Sequence, residues 1–155
     1  MTEGRRPRVA VLADDLIWAT RLAAMVTEVG GRPETVRSVE ALVASLETVD
    51  AAIVDLGLRS GQATAAIGAV ASTGRPVIAV GPHEAAAVRK AALAAGASRV
   101  YAYRKLFEDG RRTIAAWLEL VQPGSRSAAT PPTDPHTVDS PPDDPPAKVS
   151  AGVVR

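Results

Sequence analysis

Cysteine is absent from the 155 residues, which excludes disulfides, thiol nucleophiles and thiolate-bound metals together. Aromatic side chains are scarce, two Trp, two Tyr and one Phe, so a core has to be assembled from Ala, Val, Leu and Ile. Histidine is nearly missing. His83 follows a Gly-Pro turn and invites a reading as a phosphate or metal contact, although a solvated helix-start residue is the plainer account; His136 has no ligating companions. No apolar run approaches the roughly 18 residues of a membrane span, and the polar, basic stretch Met1 to Pro7 leads into no signal-peptide core. A cytoplasmic protein without a membrane partner is expected. A net charge of +1 argues against a polyanion-binding surface, so nucleic acid is not the expected partner. Nor is there a glycine-rich phosphate loop after the first apolar run, where Asp14-Asp15-Leu16 stands instead, nor a Ser-His-Asp set. Nothing in the pattern marks an enzyme.

What is present alternates. Val9 to Ala13 reads as a short buried strand, followed by Leu16, Ile17, Leu22, Met25, Val26 and Val29 at helical spacing and by Gly30-Gly31 as a stop. Pro33 to Arg37 suits an edge strand, and Ser38 is a good N-cap for a helix with Val39, Leu42, Val43 and Leu46 on its apolar stripe. Asp50 to Asp55 is a third strand, Gln62 to Ser72 an alanine-rich helix, and Val77 to Val80 a fourth strand closed by Gly81-Pro82. A helix from about His83 to Ala95, a strand from Ala97 to Tyr103 and an amphipathic helix from Gly110 to Val121 complete the series. Five strand-helix repeats predict an α/β fold: a five-stranded parallel sheet, doubly wound as (βα)5 and flavodoxin-like. Three regions are expected: a flexible start over 1–7, one folded domain over 8–121, and a disordered tail over 122–155. The tail holds eight of the 12 prolines and no periodic apolar pattern.

The stretch Asp50-Ala51-Ala52-Ile53-Val54-Asp55-Leu56-Gly57 organises the rest. An acid at the carboxyl end of a buried strand lies where open parallel sheets carry their chemistry, although an Asp there can also simply turn the loop. Asp14 and Asp15 end the first strand in the same way. Three carboxylates at the ends of two strands repel one another unless a cation sits between them, and hard oxygen ligands of this kind suit Mg²⁺. An aspartate held against Mg²⁺ can act as a nucleophile toward a phosphoryl group.

The run VLADD, then DAAIVDLG, RPVIAV and AAGASRVYAY resembles the receiver (CheY-like) domain of bacterial two-component response regulators. The resemblance spans residues 8–121 and implies a stand-alone receiver-like signalling protein of a phosphorelay. It implies Asp15 and Asp55 as Mg²⁺ ligands, Asp14 acting through water, the Gly57 carbonyl completing the site, and Asp55 accepting phosphate from a histidine kinase or phosphotransfer protein. Two positions depart from the family pattern. Gly81 stands where the family has the Ser or Thr that follows the phosphoryl group, and Tyr103 stands where it has Lys, with Arg104 and Lys105 next in line. With no further domain-sized pattern after residue 121, output is expected through protein contact, on a basic face of Arg89, Lys90, Arg99, Tyr101, Arg104 and Lys105. The alternative is a degenerate pseudo-receiver, a phosphorylation-independent interaction module, which Gly81 and Tyr103 favour.

Overall fold

The computed structural model describes residues 5–82 and 86–121. His83, the flexible-start expectation for 1–4 and the tail expectation for 122–155 lie outside the described residues. Five strands, β1 (Arg8–Leu12), β2 (Arg32–Val36), β3 (Ala51–Asp55), β4 (Val77–Gly81) and β5 (Arg99–Ala102), form one sheet in the order β2-β1-β3-β4-β5. Every neighbouring pair is parallel. The helices α1 (Leu16–Glu28), α2 (Val39–Ser45), α3 (Ala63–Ala71), α4 (Ala86–Ala95) and α5 (Tyr103–Leu118) connect or follow them. The expected doubly wound α/β architecture is present.

The sheet is covered on both faces because each inner strand sends alternate side chains to opposite sides. Ala10, Leu12, Ala52, Val54 and Ala79 pack with Leu42, Ile67, Val70 and Ala92 of α2, α3 and α4. Val9, Val11, Ile53, Ile78 and Val80 pack with Leu22 and Val26 of α1 and Leu106, Ile114, Trp117 and Leu118 of α5. The first layer contains no aromatic residue; Trp18, Trp117, Tyr101 and Tyr103 all lie on the second. Parallel strands with right-handed crossovers bring the carboxyl ends of β1, β3, β4 and β5 to one rim. Asp14, Asp15, Asp55, Gly81 and Tyr103 are thereby gathered from across the chain.

Some boundaries and faces differ from expectation. Leu16 and Ile17 open α1 but stand 65% and 66% exposed, and Val43 is also exposed. The last helix starts at Tyr103 rather than Gly110, directly after β5. Asp109 interrupts it with φ −142° and ψ 33°, at the point where Gly110 packs against Met25. Ion pairs Arg104–Glu108 (3.0 Å) and Lys105–Asp109 (3.6 Å), each spaced i to i+4, brace the first turns of this polar segment.

Candidate functional site

The rim is built from strand ends and the first turns that follow them. Asp15 is the N-cap of α1, and its Oδ1 accepts the backbone N–H groups of Ile17 (2.8 Å) and Trp18 (3.1 Å). That oxygen is therefore committed to the helix start. Asp14 Oδ2 accepts the Arg59 backbone N–H at 2.7 Å, tying the loop after β3 to the end of β1. Asp55, the last residue of β3, is only 3% exposed. Its Oδ1 accepts the Gly57 N–H at 2.9 Å and also the hydroxyl of Tyr103.

Tyr103 occupies the first position of α5, so its ring reaches back over the end of β3. The Trp18 ring lies flat on it, with centroids 4.5 Å apart and planes 22° from parallel. A relay of contacts results: Asp15 fixes the turn that carries Trp18, Trp18 packs on Tyr103, and Tyr103 closes on Asp55. Gly57 permits that closure, since a Cβ there would stand 2.9 Å from the Tyr103 hydroxyl oxygen. On the other side, a Cβ on Gly81 would stand 3.0 Å from Leu56 Cβ and 3.1 Å from Leu56 Cδ1. Leu56 fills the space that a residue larger than glycine at the end of β4 would need.

Burial is the main reason that the Asp55 carboxyl sits above its ordinary value of 3.8; the charges of Asp15 and Asp14 push the same way, and the Tyr103 and Gly57 hydrogen bonds oppose them. The Tyr103 phenol is raised as well, first by burial, then by donating to Asp55 and by the charges of Asp55 and Asp15. It remains a donor throughout the physiological range.

The three acids share a rim, but their oxygens are turned to different partners. Among the described residues no group of three or more His, Cys, Asp or Glu side chains is placed to hold a metal ion. The described hydrogen bonds of each acid end on a single carboxylate oxygen: Oδ2 of Asp14, Oδ1 of Asp15 and Oδ1 of Asp55. Arg104 and Lys105 are exposed and paired along their own helix with Glu108 and Asp109, so the cation positions next to Tyr103 are not the ones on Asp55. Of the basic face, Lys90, Arg99, Arg104 and Lys105 are exposed, whereas Arg89 and Tyr101 are partly buried. Trp18 and Leu56 are the site residues that the sequence does not single out, and only its stacking partner gives Trp18 a role.

No family model and no curated protein matches the chain by sequence. Solved structures do match by shape. The BeF3-activated receiver domain of DrrB aligns with a TM-score of 0.65 at 17% identity, over 74% of this chain and 99% of that one. A response regulator receiver protein from Burkholderia phymatum aligns at 0.62 and 26% identity, covering 76% and 99%. A CheY-like receiver domain protein from Methanospirillum hungatei JF-1 aligns at 0.60 and 18%, covering 75% and 98%. Strand order, parallel pairing, the position of the acids at the carboxyl rim and this likeness converge: the chain has the fold of response-regulator receiver domains.

Proposed function

We propose that this chain is a receiver-fold signalling module that works through protein contact without phosphoryl turnover. The observation that carries this reading is the Tyr103 hydroxyl on Asp55 Oδ1, held there by the stacked Trp18 ring. A tyrosine closes the strand-three acid from above, Leu56 fills the space beside Gly81, and Asp14 and Asp15 each give one oxygen to backbone N–H groups. Each feature uses a would-be reactive group as a structural one. None of them supplies chemistry, in keeping with a non-enzymatic role.

A second reading, with Asp55 as phosphoacceptor from a histidine kinase or phosphotransfer protein and Mg²⁺ at the rim, is favoured by one observation. Both described hydrogen bonds to Asp55 end on Oδ1, and neither on Oδ2. Intact mass after incubation with acetyl phosphate, with and without Mg²⁺, separates the two. The expected result is an unchanged mass in both conditions; a Mg²⁺-dependent gain of one phosphoryl group, lost in Asp55→Asn, would establish the phosphoacceptor instead.

A further inference from the structure

The β5 edge of the sheet carries a groove of about 470 Å³ that the rim site does not use, lined by Ser98, Arg99, Tyr101, Ala116, Trp117 and Leu120. Among the described residues β5 pairs only with β4, at the edge of the sheet. Leu120 is 74% exposed, the most exposed large apolar side chain described, and the buried Trp117 indole N–H has no hydrogen-bond partner among the described residues. An apolar floor with two aromatic rings, an edge strand and a cation at the rim is a surface that asks for a peptide.

The occupant is supplied by the chain itself. The described residues end at Val121, one position past Leu120 of the groove lining, so residues 122–155 are joined to the fold beside the groove. The first nine of them, 122–130, can span about 30 Å, far more than the distance needed to fold back over β5. Residues 131–146 (PPTDPHTVDSPPDDPP) contain the pairs Pro131-Pro132, Pro141-Pro142 and Pro145-Pro146 together with Asp134, Asp139, Asp143 and Asp144, and no Lys or Arg. Proline-rich segments favour the polyproline II helix, whose ring faces pack on aromatic grooves and whose carbonyls stay free to accept hydrogen bonds. Their low conformational entropy makes docking cheap. The acidic charge of the segment complements Arg99, which is exposed on the groove wall.

We propose that residues 131–146 dock in cis on the β5/α5 groove, over Tyr101, Trp117 and Leu120, with the aspartates toward Arg99. Arg99 and Tyr101 belong to the face expected for output. The proposal does not depend on whether Asp55 accepts phosphate.

The absence of native cysteine makes a direct test simple. A nitroxide on Ser140→Cys in the ¹⁵N-labelled full chain is expected to broaden away the amides of Arg99, Tyr101 and Leu120 and the Trp117 indole resonance, while α1 and α2 keep theirs. The full-chain variant with Pro131, Pro132, Pro141 and Pro142 replaced by Ser, carrying the same label and leaving every residue of the described fold unchanged, is expected to lose that selective broadening. Broadening that is absent, or spread evenly over the surface, overturns the proposal. So does broadening that persists in the proline variant. Selective broadening seen only between labelled and unlabelled chains in a mixed sample overturns docking in cis and assigns the groove to a second copy.

Discussion

Two buried aspartates, five residues apart, mark the two ends of strand β3 and have different surroundings. Asp50, just before the strand, is 1% exposed; its Oδ2 accepts the Arg8 N–H at 2.8 Å while its own N–H donates to the Arg8 carbonyl at 2.7 Å. This is a two-way clamp between β3 and β1 at the amino end of the sheet. Asp55, at the carboxyl end, is 3% exposed and is also hydrogen-bonded, but it faces Asp14 and Asp15 across the rim and its carboxyl is raised. Burial alone does not separate a structural acid from a candidate functional one. What marks Asp55 out is the pair of like charges, Asp14 and Asp15, beside it.

The comparison breaks first at Asp50. Asp50→Ala leaves the half-buried Arg8 N–H without this acceptor and is expected to cost about 1–2 kcal/mol, read as a lowered urea midpoint. A change of a few tenths would remove the clamp from the account. Gly81→Ser, in the strand beside Asp55, is expected to cost about 1–2 kcal/mol because its Cβ meets Leu56. Adding Leu56→Ala should reduce the penalty of the Ser, and a double mutant whose losses simply add would show that Leu56 is not the obstacle.

The smallest effect carries the sign that distinguishes the two acids. A carboxyl raised in the folded state contributes most to stability below its unfolded value, and that contribution is lost as pH climbs from about 3.8 through the raised value. Asp55→Asn removes the cost of ionising a buried group, so it is expected to be more stable than the parent at pH 7, with the gap narrowing as pH falls toward that window. Thermal midpoints across that range check it. Parent and variant diverging instead toward low pH would reverse the assigned sign.

Much of this was legible in the residues. Short apolar runs bounded by Gly, Pro and Asp marked the strands, and strand ends named Asp14, Asp15 and Asp55 as one rim. Ser38 was recognisable as a cap, and its Oγ does accept the Ala41 N–H at 3.0 Å. The start of α5 was harder to see because Tyr103 to Asp109 is polar and Gly110 looks like a boundary. The spacing of Arg104 with Glu108 and Lys105 with Asp109 was the signal that could have extended the helix back to β5. That extension decides the site, since it puts Tyr103 and not a cation over Asp55. Side-chain pairing of Trp18 with Tyr103, 85 positions apart, leaves no periodic trace in a single sequence. The exposed Leu16 and Ile17 show the opposite limit: helical spacing identified an apolar stripe, but the core reaches only as far as Ala19 and Leu22.

The closure of Asp55 by Tyr103 is tested most directly by the ¹³C resonance of the Asp55 side-chain carboxyl, followed across pH in the parent and in Tyr103→Phe. The account predicts a parent midpoint above the ordinary 3.8, moving higher still in Tyr103→Phe because the hydrogen bond that favours the carboxylate is gone. A parent midpoint at or below 3.8, or one that Tyr103→Phe leaves unmoved, would contradict it.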